Sequence, residues 1–521
     1  MTKKNKIIHF TIFAFIIILA IILRIYNIDN TPSGIYPDEA NNGTNAYDAQ
    51  LNGEYQWFYP DNNGREGLYL NFIAIGFKFF DVSTITLKLP SIIMGILTVI
   101  GVYLLSRELF ISKPRLALIA SYLTAVSFWA VNFSRIAFRA IMMLPILTFS
   151  FYFIFRGIRT NRWWNFALGG FIFGLGFHTY IAFRIAPTLL IVLLILLLLQ
   201  QGFTVLKKHW KNLIIFTLFV LVSAAPIFYT FHTHPEFLNS RTNDVSIFAN
   251  NENGLVPALT ETITTSLLKF NVYGDQNWRH GYPPQPTLEF FVGLMFVGGI
   301  ILSTIIFFTY LIRRLRGKTN NRKLVTHGLL LAWFIAFLAP EFLTTEGLPH
   351  ALRSIGVIPV VYILAAFFIN FLIERSEKLP RKMYVITFAL IITLLIISGF
   401  CNILKYHKHW ATDPRQAQSF NKNLTDIAKH IKTLPQNSNK YVIAGPLERL
   451  PVKLLNETTP NLYFLYENEI NKIDTSKDFY VLMSVRKDDV IDTLSSNTDI
   501  STDTIITDLN TKFIIIKSIQ P

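Results

Sequence analysis

Two carboxylates stand side by side in the stretch PSGIYPDEANNGTNAYDAQL: Asp38 and Glu39, directly after Pro37. An adjacent acid pair suits general acid/base work, because two like charges in a dry site push one pKa upward. One member can then take a proton from a hydroxyl while the other orients the reacting groups. The competing reading is a helix start, where acids are favoured by the helix dipole. A further acid, Glu66, lies in NNGREGLYL, either as a second member of a site or as a solvated turn residue beside Arg65.

Cations recur at three short turns. FSRIAFR places Arg135 and Arg139 four apart, HTYIAFR carries His178 and Arg184, and GLPHALR carries His350 and Arg353. Arg donates two parallel hydrogen bonds to a phosphate, so a shared anionic ligand accounts for all three turns. Taken singly, each side chain could be snorkelling to the membrane surface. The tract GDQNWRHGYPPQP adds Trp278, Arg279 and Tyr282, which would suit either a sugar contact or an aromatic belt. Metal binding has little support. HTH (232–234) and HKH (407–409) stand at span ends, and the adjacent DE is not a spaced DxD. The single cysteine, Cys401, can form no internal disulfide. No metal and no cofactor is expected.

The elements that must position these residues are membrane helices. Of 521 residues, 51% are hydrophobic, 14% aromatic and only 16% charged, against about 25% charged in ordinary soluble domains. Apolar runs fall at 7–23, 85–106, 115–133, 140–156, 163–180, 184–200, 212–231, 287–311, 324–342, 352–373 and 383–402, predicting eleven spans. The net charge of +15 does not point to nucleic acid. It is concentrated in MTKKNK, SRELFISKPR, RGIRTNR, KKHWK, RRLRGKTNNRK and ERSEKLPRK, which read as cytoplasmic loops. Alternation from an inside N-terminus then puts the acid pair and the three Arg turns outside.

The fold expected is therefore an all-α polytopic membrane protein plus a small C-terminal α/β domain. Residues 1–402 form the transmembrane domain. Its first outer loop, 24–84, carries eight acids against two bases between 25 and 84. Within it, EGLYLNFIAIGFKFF (66–80) is short for a span and reads as an interfacial helix. A second outer loop covers 232–286. Residues 403–521 form a soluble outer domain, opening with the helical pattern DPRQAQSFNKNLTDIAKHIKTL. Five strands follow: KYVIAG, NLYFLY, DFYVLMS, DTIITD and KFIIIK.

The run from PSGIYPDEANNG through GREGLYLNFIAIGFKFF to GVYLLSRELF resembles the start of the dolichyl-phosphate-mannose-protein mannosyltransferase-like family. This is glycosyltransferase family 39 among the C-type membrane glycosyltransferases. NFSRIAFRAIMMLPIL, GFHTYIAFRIAPTLL, NWRHGYPPQPTLEF and LPHALRSIGVIPVVY continue the similarity over about 30–400. The resemblance implies a multi-span bundle with interfacial helices in a large first outer loop. It implies sugar transfer from a polyprenyl-phosphate carrier to an acceptor on the outer face, usually with inversion. It assigns the general base to Asp38, a second acidic role to Glu66 and, more loosely, a donor-phosphate contact to Arg353. Gly67 and Leu68 follow Glu66 where a proline is common.

The sequence thus reads as a membrane glycosyltransferase in the cell membrane, its partners a polyprenyl-phosphate sugar, membrane lipids and a lipid, glycan or protein acceptor. Asp38, Glu39 and Glu66 are the catalytic candidates. Arg135, Arg139, His178, Arg184, Trp278, Arg279, His350 and Arg353 are the substrate-binding ones. Two rival readings are a transporter or flippase of a lipid-linked sugar, which would be expected to show acids or broken helices near mid-bilayer, and a scaffold displaying the C-terminal domain.

Overall fold

The computed structural model describes residues 3–239, 247–248, 254–317, 321–345 and 347–519. From the N-terminus the helices are α1 (Lys3–Ile25), α2 (Pro37–Asn52), α3 (Leu68–Phe79), α4 (Thr84–Leu109), α5 (Pro114–Val126), α6 (Phe128–Phe133), α7 (Met143–Thr160) and α8 (Trp163–Leu175). They continue as α9 (Ala186–Gln201), α10 (Thr204–Thr233), α11 (Glu236–Asn239), α12 (Leu255–Leu268), α13 (Phe290–Leu315), α14 (Arg322–Phe342), α15 (Ile358–Ser376) and α16 (Arg381–Leu404). A two-stranded hairpin, β1 (Phe58–Tyr59) and β2 (Arg65–Glu66), precedes α3.

The chain divides into two units. The first comprises Met1–Tyr26, Gln56–Tyr69 and Pro90–Tyr406; the second comprises Asn27–Tyr55, Leu70–Leu89 and His407–Pro521. Segments 27–55 and 70–89, which the sequence assigns to the first outer loop and the next span, therefore group with the C-terminal residues.

Among the described residues, nine helical segments of the chain are long and apolar enough to cross a membrane. They coincide with nine of the eleven expected runs. The other two runs are interrupted. In 115–133 the helix stops at Val126; Ser127 is extended (φ −62°, ψ 129°), and its hydroxyl caps α6 by accepting from the Ala130 N–H. A side-chain acceptor at this position satisfies an orphan donor and starts a new helix. In 163–180, α8 ends at Leu175 and passes into a 3-10 turn, Gly176–His178. Tyr180 is then extended (φ −154°, ψ 144°). The stretch expected to lie in the interface is the 12-residue apolar helix α3.

The second unit is built on five strands in the order β4-β3-β5-β7-β6. They are β3 (Asn439–Ile443), β4 (Leu462–Leu465), β5 (Phe479–Met483), β6 (Ile500–Ile506) and β7 (Lys512–Ser518). β4, β3 and β5 are parallel, while β7 runs antiparallel to both β5 and β6. All five strands expected from the sequence form. Side chains alternate across the sheet, so each face builds a core. Tyr441, Ile443, Val481 and Met483 pack on one side with Val490 and Leu494 of α20 (Asp488–Ser495). Val442, Leu482, Phe513 and Ile515 pack on the other with α18 (Lys422–Ile431) and α19 (Pro446–Leu455).

The same unit holds the helix with the acid pair. Pro37 opens α2, Asp38 and Glu39 occupy its first turn, and Gly53 ends it in the left-handed conformation (φ 74°). Its buried face is lined by Ala40, Gly43, Ala46 and Ala49. At Gly43 the approach of α19 is close: a β-carbon there would stand 2.5 Å from Cδ2 of Leu454.

Candidate active site

In the first unit the hairpin positions Glu66. Phe58 pairs with Glu66 and Tyr59 with Arg65. The connecting turn uses positive φ at Asn62 (50°), Asn63 (62°) and Gly64 (79°), which Asn and Gly adopt most readily. Gly67 donates its N–H to the Trp57 carbonyl at 2.8 Å. A β-carbon at Gly67 would meet the Gln56 carbonyl oxygen at 2.0 Å. Glycine fits this close backbone approach; proline could not donate the hydrogen bond.

The Glu66 carboxylate accepts from Arg139 Nε at 2.7 Å, with the two side chains only 4% and 11% exposed. The Arg139 guanidinium also lies over the Tyr180 ring, 5.6 Å from its centre. Buried His178 hydrogen-bonds through Nε2 with the Ser223 carbonyl at 2.9 Å. The Trp57 ring sits 5.4 Å from the His178 ring. Arg184 donates to the Leu238 carbonyl at 2.8 Å and covers the Phe231 ring. Glu66 lies within electrostatic reach of both His178 and Arg184. Glu66, Arg139, His178 and Arg184 are thus gathered around one hairpin.

A second buried network forms in the same unit, between the loop after α12 and the turn after α14. Lys269 pairs with Glu341 and donates to Ser354. The other Glu341 oxygen accepts the His350 N–H at 3.0 Å. Asp275 accepts from the Ala351 N–H at 2.7 Å and pairs with His280 at 3.1 Å. Its second oxygen takes the Asn277 N–H at 2.8 Å. Burial raises the Asp275 pKa, yet the hydrogen bond and charge of His280, with smaller contributions from His350 and Ala351, outweigh it and hold the carboxyl below its usual range. Burial, then the neighbouring His280, hold His350 well below the ordinary histidine value. Burial likewise lowers Lys269, against the opposing pull of Glu341.

Asp275, His280 and His350 are the one grouping among the described residues whose ligand atoms could surround a metal ion, all lying within 4.8 Å of one another. Both Asp275 oxygens already serve N–H donors, so the trio is arranged as a hydrogen-bonded junction between loops. Arg353 donates to Thr344 Oγ1 at 2.7 Å. Trp278 and Tyr282 stack edge to face at 5.4 Å, and the Arg279 carbonyl accepts from Asn132 at 2.8 Å.

Of the Arg residues expected from the sequence to share one ligand, Arg139 donates to Glu66, Arg184 to the Leu238 carbonyl and Arg353 to Thr344. Arg135 is fully buried and donates to the carbonyls of Leu23 (2.9 Å) and Tyr26 (2.7 Å), tying down the end of α1. Sequence reasoning missed Tyr180, Trp57, Lys269, Asp275, His280 and Glu341. Glu341 carried a readable signal, since an acid at the end of an apolar run requires a partner.

In the second unit, Asp38 is exposed and accepts from the Tyr36 hydroxyl at 3.0 Å. Glu39 is fully buried. Ser33 donates to Gln416 at 2.8 Å and the Ile35 N–H to Thr425 at 3.1 Å, fastening the segment before α2 to residues of α17 (Pro414–Ser419) and α18.

The whole chain superposes on ArnT of Cupriavidus metallidurans bound to undecaprenyl phosphate, with a TM-score of 0.57, 11% identity, and 100% and 99% of the two chains covered. The fold is that of a C-type membrane glycosyltransferase. The oligosaccharyltransferase of Archaeoglobus fulgidus matches the C-type fold with a TM-score of 0.52 and 15% identity, over 92% of this chain and 70% of the other. The mycobacterial arabinofuranosyltransferase AftD matches with a TM-score of 0.50 and 11% identity, over 98% of this chain and 39% of its own. Residues 68–229 match the family model of dolichyl-phosphate-mannose-protein mannosyltransferase, bearing out the resemblance read from the sequence. No curated protein matches by sequence.

Proposed function

We propose that this chain transfers a sugar from a polyprenyl-phosphate carrier to an acceptor hydroxyl of a lipid, glycan or protein, on the extracytoplasmic face and with inversion. The observation that carries the reading is the mannosyltransferase match over 68–229, which runs from α3 into α10 and so includes both Arg139 and Arg184. The undecaprenyl phosphate bound to Cupriavidus ArnT supports the donor class.

In this mechanism Asp38 takes the acceptor's hydroxyl proton as the oxygen attacks the anomeric carbon. The bond from that carbon to the phosphate oxygen breaks, and polyprenyl phosphate leaves with the electron pair. Glu39 orients groups beside Asp38. Glu66 holds Arg139 in place, and Arg139 and Arg184, with Arg353, meet the charge that develops on the phosphate. Trp278 and Arg279 contact the sugar or headgroup, and His178, Arg135 and His350 support these positions. The six basic clusters argue for a cytoplasmic N-terminus in the cell membrane, with 403–521 outside.

The test is to incubate purified protein with a panel of polyprenyl-phosphate sugars and acceptors and to identify products by mass spectrometry. A glycosylated acceptor together with free polyprenyl phosphate supports the proposal. Movement of intact donor across a vesicle membrane without any transfer would replace it with the transporter reading.

A further inference from the structure

At the end of the bundle where the runs RRLRGKTNNRK and ERSEKLPRK fall, a cleft of about 650 Å³ opens between α13, α14 and α15 and the residues that end α4. Five cations line it, Lys113, Arg322, Lys323, Arg375 and Lys378, against a single carboxylate, Glu374. That carboxylate is already taken by Lys113 at 2.5 Å. Arg322 turns away to the Glu108 carbonyl at 2.5 Å. Among the described residues Lys323, Arg375 and Lys378 have no ion-pair partner. Arg375 lies over the Phe371 ring at 5.0 Å and Lys323 over the Tyr310 ring at 5.4 Å.

The remaining walls are not those of a soluble anion site. Leu302, Ile306 and Phe371 make one side apolar. Ile301 and Ile305 of the membrane helix α13 continue it as exposed surface, at 54% and 57%. The floor is Thr326 and His327, both buried, with His327 Nδ1 at 3.1 Å from Ser303 Oγ. A cationic rim over an apolar wall that runs out along a membrane helix matches a molecule with an anionic head and hydrocarbon tails.

We propose that this cleft binds an anionic phospholipid. Its phosphate sits among Lys323, Arg375 and Lys378, and its acyl chains lie along Leu302 and Ile306. This site is separate from the residues assigned to transfer, and it stands whether or not the transferase reading does.

The experiment is native mass spectrometry of the full chain in detergent, with phosphatidylglycerol and phosphatidylcholine of equal acyl length. One phosphatidylglycerol should be retained at energies that strip phosphatidylcholine. K323Q/R375Q/K378Q should weaken retention by roughly a hundredfold, the combined effect of three near-surface charges. K323R/R375K/K378R should keep it. Equal retention of both lipids by the unaltered chain, or undiminished retention by the neutralised variant, overturns the proposal. So does displacement of phosphatidylglycerol by lower concentrations of polyprenyl phosphate, which would make the cleft a carrier site. The two-lipid comparison needs no variant, so it decides the matter even if the triple substitution does not fold.

Discussion

Arg139 Nε donates to Glu66 Oε2 at 2.7 Å, joining residues 73 apart in the chain. The pair is nearly withdrawn from solvent. A carboxylate held this way is better suited to aiming a guanidinium than to taking a proton, which separates the role proposed for Glu66 from that proposed for Asp38.

Glu66→Gln alone, or Arg139→Gln alone, leaves a buried charge without its partner. Each should cost about 3–5 kcal/mol, while the double variant should be closer to the unaltered protein than the two losses summed. Thermal unfolding of the four proteins in one detergent gives the coupling. Additive losses would mean that the pair does not act as a unit.

Asp38→Asn keeps the shape of the side chain and caps a helix about as well, so insertion should be unaffected. Transfer should fall by about two to four decades, because the base is gone. Glu39→Gln should fall less. Both are read as sugar transfer from a polyprenyl-phosphate donor at matched protein level. If neither change moves the rate, the pair serves only the helix dipole, which is worth at most about 1 kcal/mol here.

Gly43→Ala places a methyl 2.5 Å from Leu454 Cδ2. Overpacking of this kind costs about 1–3 kcal/mol. Adding Leu454→Val withdraws the offending carbon and should recover part of the loss. Protection of 407–519 from limited proteolysis reports it, and no change on Gly43→Ala would mean that α2 and α19 slide apart freely.

His350 has its pKa depressed in the folded chain, so below the unfolded value near 6.5 the unfolded state binds a proton that the folded state refuses. Stability is therefore full above about pH 6.5 and falls as the pH drops through that value. Asp275, also depressed, adds a second loss below its unfolded value of 3.8. Melting temperature measured from pH 8 to pH 5 should decline, and His350→Gln should flatten that decline. An equal slope in both proteins would place the titrating group elsewhere.

A reporter that is active only outside the cytoplasm, fused after residue 521, should be active. Activity of a cytoplasm-only reporter at the same point would invert the proposed sidedness, and with it the face on which transfer takes place.

Local signals were legible in the sequence. Pro37 and the two acids mark the start of α2, and short runs rich in β-branched and aromatic residues mark the five strands. Nine of the eleven expected apolar runs coincide, among the described residues, with helices long and apolar enough to cross a membrane, because the length of an apolar run needs no tertiary information. The breaks at Ser127 and after Leu175 do. One rests on a serine used as a cap, the other on His178 reaching the Ser223 carbonyl 45 residues away. The Arg turns were visible as exceptions to the charge rule, but their partners were not. Lys269 and Glu341 lie 72 residues apart, one in a loop and the other at the end of a span. Arg24, fully buried beside Ser134, lay just past the end of an unremarkable apolar run.

The close packing of Gly43 on Leu454 also sets a schedule for synthesis. Helix α2 is made early, while α19 follows about four hundred residues later. At roughly 5–20 residues per second, the small-residue face of α2 waits some tens of seconds for its cover. During that interval the inner side of α2 at Gly43 has Leu87 beside it but not yet Leu454. Ribosomes that stall, or messages that break, before the codon for Leu454 leave it in that condition. The packing of α2 is therefore completed by a residue from the last quarter of the chain.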